Sequence, residues 1–284
     1  MRGKITILVT VLCISFFFTG AGQAGEKLMI MCGAAFKMPM EEIVDAFMKQ
    51  TGAEVNVSYA AVGPLMSQIT LSRRGDVFIA PSPDIMNKAE KRGHVIPRST
   101  RNMGYFVPSI NVQKGNPKGI KSLKDMTKPG VRIALANPET VFVGMLGVEI
   151  VDKGLSSRER ELFRKNIVTY AEDFSKLAAL LALEKVDAII GFGYLKGWFP
   201  DKIDTVKLRK EEILRIGVGQ AALLNYTENR PLAERFLGFL DSKESRDIFK
   251  KYHYFATLEE AGAWIGASKP VGGGYLFPRD WMEN

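Results

Sequence analysis

Apolar and polar positions alternate in two registers along this chain. Lys27–Cys32 (KLMIMC) is a short continuous apolar run ended by Gly33, the pattern of a buried strand. Pro39 then opens the stretch MEEIVDAFMKQ, where Ile43, Val44, Phe47 and Met48 fall on one helical face and Glu41 and Glu42 lie in the first turn. Glu54–Tyr59 alternates as a strand does. Pro64 opens a second helix (LMSQITLSRR) ended by Gly75, Asp76–Ala80 (DVFIA) is another buried strand, and Pro83–Gly93 another short helix. Further on, Tyr105–Val112 reads as extended and Asn116–Thr127 as a loop with a helical turn. Val131–Ala136, Asn166–Tyr170 and Val186–Ile190 read as strands, with Val141–Gly154 and Phe174–Glu184 as the helices between them. Leu208–Ile216 and Gly219–Leu224 read as extended, Pro231–Leu240 and Ser242–Tyr252 as helical. Repeated strand–helix units predict an α/β fold of mostly parallel sheet covered by helices.

The first residues follow a different pattern. Arg2 and Lys4 precede an apolar run, Ile5–Phe18, and then come Gly20, Ala21, Gly22, Gln23 and Ala24. A basic start, an apolar run shorter than the ~20 residues of a membrane span and a small-x-small exit predict a secretory signal peptide over residues 1–24. An uncleaved membrane anchor is the competing reading. Export predicts a periplasmic protein. The formal net charge is +8, or +6 once Arg2 and Lys4 are removed. Lys and Arg are scattered among Asp and Glu, which favours anionic ligands at long range and lacks the clustering of a nucleic-acid footprint. The chain has two cysteines, Cys13 and Cys32, and only Cys32 survives cleavage. No internal disulfide is then available, so the fold rests on its core.

Four segments carry a family resemblance: Cys32–Met40 (CGAAFKMPM), Ser58–Ile69 (SYAAVGPLMSQI), Gly75–Met86 (GDVFIAPSPDIM), and the late pair Asn137–Thr140 (NPET) with Ile248–Phe255 (IFKKYHYF). In that order, from about Lys27 to Phe255, they resemble the periplasmic molybdate-binding proteins of ABC importers, a branch of the type II solute-binding proteins. The resemblance implies two α/β lobes joined by two hinge crossings, near Tyr105–Pro108 and near Gly219–Leu223. Residues 25–103 with 219–284 would form lobe 1 and residues 104–218 lobe 2. The tail past Phe255 is expected to wrap the first lobe, with Trp264 and Trp281 packing there. The implied function is extracytoplasmic capture of a small anion, molybdate or tungstate by family. The implied partner is an ABC permease, the protein itself being a monomer without cofactor.

In that family, as the resemblance implies, two serine hydroxyls, backbone N–H groups and a tyrosine hydroxyl hold the oxyanion, with helix N-termini aimed at it. The loops are present: Ala34–Lys37 before Pro39, and Ala61–Gly63 before Pro64. The hydroxyls are not. Ala35 stands where the first serine belongs, followed by Phe36 and Lys37, and Val62 or Gly63 stands at the second. Gly191 falls near the tyrosine position, with Phe192 and Tyr194 close by, and the third loop continues from Thr140 into Val141 and Phe142. Each hydrogen bond missing from a desolvated anion costs about 1–3 kcal/mol. Either backbone amides and Lys37 compensate, or the ligand is a partly apolar organic molecule carrying a carboxylate-type group. Phe36, Val62 and Phe142 also read as plain core residues, and Lys37 as a solvated one. If the loops are placed correctly, Phe36→Ser with Val62→Ser should raise oxyanion affinity.

Other chemistry is weakly signalled. Met29, Met31, Cys32, Met38 and Met40 are soft ligands close in sequence, but Met29 and Met31 point to the opposite strand face from Cys32. His94 and His253 are the only histidines and match no catalytic spacing. Gly191-Phe192-Gly193 lacks the rest of a dinucleotide fingerprint, and Gly272–Gly274 is not followed by Lys-Ser or Lys-Thr. An enzyme is not expected. A sensor module that presents the bound ligand to a receptor is the remaining alternative to transport. Asp76, at an acidic position of the family, is read as structural.

Overall fold

The computed structural model describes residues 26–276 and 278–282; the signal peptide read at residues 1–24 lies outside them. Ten strands alternate with helices. They are β1 (Lys27–Gly33), β2 (Glu54–Ala60), β3 (Val77–Ala80), β4 (Arg101–Phe106), β5 (Pro108–Gln113), β6 (Ile133–Ala136), β7 (Ile167–Ala171), β8 (Ala188–Phe192), β9 (Ile203–Val206) and β10 (Gly217–Leu223). The helices are α1 (Lys37–Thr51), α2 (Val62–Ser72), α3 (Pro83–Lys91), α4 (Phe142–Gly154), α5 (Ser157–Lys165), α6 (Phe174–Ala182), α7 (Leu195–Trp198), α8 (Arg230–Leu240), α9 (Lys243–Lys251) and α10 (Leu258–Ile265). None among the described residues is long and apolar enough to cross a membrane.

Two five-stranded sheets result, ordered β2-β1-β3-β10-β4 and β7-β6-β8-β5-β9, and each is the centre of a lobe. β1 is buried on both faces, as its unbroken apolar run requires. Leu28, Ile30 and Cys32 face the core under α1 and α8, while Met31 faces the core under α2 and α3. The soft-ligand cluster is therefore split by the sheet, with Cys32 fully buried.

The sheets are mixed rather than mostly parallel. β1 runs parallel to β2 and β3, but β10 is antiparallel to β3 and β4. Likewise β6 is parallel to β7 and β8, while β5 is antiparallel to β8 and β9. The antiparallel strands are those next to the crossings, where no covering helix turns the chain round before it pairs. β4 runs into β5 through Val107 alone. The return passes through residues 207–216, one segment earlier than expected, because Gly217–Leu223 is already paired into the first sheet.

The tail departs from expectation in part. α8 and α9 pack against α1, and residues beyond Phe255 touch the first lobe at β4 and at Asp84, but their buried side chains pack into the second lobe. Phe255 pairs with Tyr105 beside the crossing, so the chain leaves α9 at the lobe boundary. From there Ala261 and Ile265 of α10, with Trp281, close the second lobe's core over Ile110 and Val112.

The two lobes share one continuous aromatic core. Phe106 meets Phe192 edge-on at 4.6 Å, within the range of favourable ring pairs, and Tyr194 stacks on Tyr254 at 4.1 Å, slightly closer than that range.

Candidate ligand site between the lobes

The site follows from how the helices begin. A helix start leaves backbone N–H groups without intrahelical partners, and a Ser, Thr, Asp or Asn side chain usually takes one. Six helices here obey that rule: Ser82 caps α3, Ser156 α5, Asp173 α6, Asn229 α8, Ser242 α9 and Thr257 α10. The exceptions are α1, α2, α4 and the four-residue α7. The cap position of α1 is Phe36, at the end of a 3-10 turn over Ala34–Phe36, that of α2 is Ala61 and that of α4 is Val141, and none of these makes a side-chain cap bond.

The loops and turns that open α1, α2 and α4 meet between the lobes around a cavity of about 20 Å³, room for one water. The first lobe supplies Gly33–Ala35 and Ala60–Val62, together with Pro81. The second supplies Val141–Val143, Phe174 and Phe192. No hydroxyl side chain lines it. Phe174 and Pro81 escaped the sequence reading, because one is the first residue of a capped helix and the other lies between the strand Asp76–Ala80 and the helix that begins at Pro83.

The expected site residues therefore divide. Ala35, Ala61, Val62, Val141, Phe142 and Phe192 line this cavity. Gly63 and Thr140 lie at its mouth, where the Gly63 N–H donates to the Thr140 carbonyl across the lobes at 3.4 Å. Phe36 does not line it: its ring is fully buried against Phe106 and Tyr254. Lys37 points away to Glu41, at 3.8 Å, on the half-exposed side of α1. Gly191 sits behind the cavity in β8, opposite Ser109, where a Cβ would crowd the Asn111 side chain. Tyr194 is buried, and its hydroxyl donates to the Ala35 carbonyl at 3.0 Å, joined there by the Tyr254 hydroxyl at 2.6 Å. Burial pushes both phenols well above their ordinary pKa, so both remain donors. Ser175 adds a third cross-lobe bond, to the Ala34 carbonyl at 3.5 Å.

Residues 28–255 match the family model described as bacterial extracellular solute-binding protein. The chain belongs to that family. Among similar proteins, the sulfate-binding protein of Synechococcus elongatus is 26% identical over 85% of this chain and 76% of its own. The molybdate-binding protein ModA of Rhodobacter capsulatus is 24% identical over 89% and 96%. In three dimensions the periplasmic molybdate-binding protein of Azotobacter vinelandii superposes with a TM-score of 0.70 at 21% identity, covering 81% of this chain and 99% of that one. This solute-binding protein thus has the two-lobed fold of its relatives around a cavity walled by hydrocarbon. The matched region stops at Phe255, so the tail on the second lobe lies outside it.

Proposed function

We propose that this chain is the periplasmic solute-binding component of an ABC importer and that its solute is a small organic anion. The observation that carries the reading is the set of uncapped helix starts, α1 with its 3-10 turn, α2 and α4, converging on one apolar cavity. Helix starts without a side-chain cap, with the positive ends of their dipoles, suit a negative group. Val62, Phe142, Phe174 and Phe192 offer an apolar body nothing but dispersion and burial. A bare tetrahedral oxyanion fits less well. The serine positions of the family are Ala35 and Val62 or Gly63, and the nearby tyrosine hydroxyl is committed to Ala35. An anion with four exposed oxygens would be left several hydrogen bonds short, at about 1–3 kcal/mol each.

A one-water cavity admits no such solute unless the lobes part. Binding is then a hinge opening at Val107 and residues 207–216, followed by closure around the ligand, whose contacts to both lobes favour the closed state. The closed, monomeric protein delivers the solute to a membrane permease and transforms nothing.

Calorimetry on the mature chain tests this. Heat with short carboxylates or phosphonates, and little with molybdate, tungstate or sulfate, is expected. Tight molybdate binding with no organic anion bound would overturn it.

A further inference from the structure

Outside the small cavity, and sharing Val62, Val141 and Phe142 with it, lies a chamber of about 370 Å³. Its inner wall is apolar, from Met66, Ile85 and Met145, and its rim carries Asp84, Lys88, Arg92 and Glu139. One wall, Gly273 and Gly274, comes from beyond the region that matches the family. We propose that this tail builds a second ligand chamber at the cleft mouth, and that Lys88 and Arg92 hold the far end of a dianionic organic solute there. The proposal rests on the reading above, in which the first anionic end meets the helix starts.

The tail is tied to both lobes as a strap. On the second lobe, Arg215 pairs with Glu149 of α4 and donates to the Gly272 carbonyl at 3.1 Å, and the Tyr275 hydroxyl donates to Asp152 at 2.8 Å. On the first lobe, the Gly273 N–H donates to the Asp84 carboxylate of α3. Gly273 has φ +98°, a left-handed conformation that glycine adopts freely, and a Cβ there would overlap the Arg215 guanidinium.

The cations of the rim stand on the same helix as that last anchor. Asp84, Lys88 and Arg92 stand four residues apart on one face of α3 and its cap, where an Asp–Lys pair is the ordinary stabilising arrangement. Here Asp84 accepts from the Gly273 N–H of the strap and forms no ion pair with Lys88. Neither Lys88 nor Arg92 of the chamber has an ion-pair partner among the described residues, although two cations at this spacing repel one another. The four rim charges balance, Asp84 and Glu139 against Lys88 and Arg92, and the two cations are set apart by standing side by side without an ion pair. An acid group between Lys88 and Arg92 gains two charge-assisted bonds, and an apolar linker from it to the helix starts crosses Val62 and Phe142.

Calorimetry on the mature full-length chain distinguishes the cases, with succinate and glutarate as dianionic probes and butyrate and valerate as monoanions of matching length. The dianions should bind more tightly. Lys88→Gln with Arg92→Gln should erase that preference, a loss of about tenfold or more for two charged hydrogen bonds. Gly273→Val, which displaces the strap, should reduce it as well. Dianions bound no better than monoanions, or a preference that survives the Lys88/Arg92 double variant, would overturn the second chamber while leaving the organic-anion reading standing. A chain that binds molybdate but none of the four acids would overturn both.

Discussion

The hydroxyl of Tyr194 donates to the carbonyl oxygen of Ala35 at 3.0 Å, joining the start of α7 in the second lobe to the turn before α1 in the first. The same oxygen accepts from Tyr254 at 2.6 Å. This doubly satisfied carbonyl makes the two tyrosines interchangeable to a degree. Tyr194→Phe alone should cost about 1 kcal/mol or less, since Ala35 keeps a donor. With Tyr254→Phe added, a buried carbonyl is orphaned, and the pair should cost about 1–3 kcal/mol more than the separate losses predict. Urea denaturation of the two single variants and the double measures the coupling. Strict additivity would mean that the shared acceptor is not what binds the lobes.

The serine substitutions suggested by family resemblance need moving. Phe36→Ser would empty a fully buried site packed on Phe106 and Tyr254, and large aromatic deletions of that kind cost about 3–5 kcal/mol. Ala35 and Val62 are the positions that face the cavity. Ala35→Ser with Val62→Ser should raise affinity for sulfate or molybdate by about tenfold for each hydroxyl that reaches the ion, as charge-assisted bonds do. Titration of each oxyanion into the double variant and the parent checks it. No gain would place the anion elsewhere in the cleft.

Much of the fold was legible because its strands and helices differ in period. Leu28–Cys32, Val77–Ala80 and Ile133–Ala136 announce themselves as continuous apolar runs, and prolines mark the starts of α1, α2 and α3. The antiparallel half of each sheet was not legible, since strand direction depends on where the chain crosses between lobes and no local residue encodes it. The lobe that the tail covers is not legible for a related reason. Ala261, Ile265 and Trp281 make an apolar face, but only the pairing of Phe255 with Tyr105 decides which lobe it covers. In the site, the loops were readable from Pro39 and Pro64, whereas the inward or outward turn of neighbours was not. Ala35 faces the cavity while Phe36, one residue on, fills the core. The signal that could have found the site more directly is the lack of Ser, Thr, Asp or Asn at the cap positions Phe36, Ala61 and Val141.

Asp76 is structural, and its contacts say how much. Its carboxylate accepts from the Met29 N–H at 2.7 Å, the Thr227 hydroxyl at 2.6 Å and the Glu228 N–H at 3.2 Å, tying the starts of β1 and β3 to the turn after β10. Asp76→Ala removes all three and leaves buried donors unpaired, for a loss of about 2–4 kcal/mol. Asp76→Asn retains an acceptor and should lose about half as much. These contacts sit at the opposite end of β3 from Pro81, so ligand affinity measured well below the melting temperature should hold in both variants. A large affinity loss would contradict a structural role.

His94 should give the protein a pH-dependent stability step. It lies buried between Thr70 and Tyr226, with Nε2 3.1 Å from the Thr70 hydroxyl and Nδ1 2.8 Å from the Tyr226 hydroxyl. Thr70 donates its proton to the Met66 carbonyl, so its oxygen accepts from Nε2–H and the neutral ring accepts from Tyr226 at Nδ1. Burial first, then the nearby Arg92 and Arg73, hold the imidazole below its ordinary pKa of 6.5. The unfolded chain therefore binds the proton more readily, and stability falls as pH drops through 6.5 toward the lowered folded value. Asp125 and Glu159, held down to about 2 by Lys128 and by the Ser156 cap respectively, contribute stability that is lost only further down, as pH approaches that value. Melting temperatures measured across this range should show two steps. His94→Gln should remove the upper step and leave the lower one. An unchanged upper step in that variant would assign it to another group.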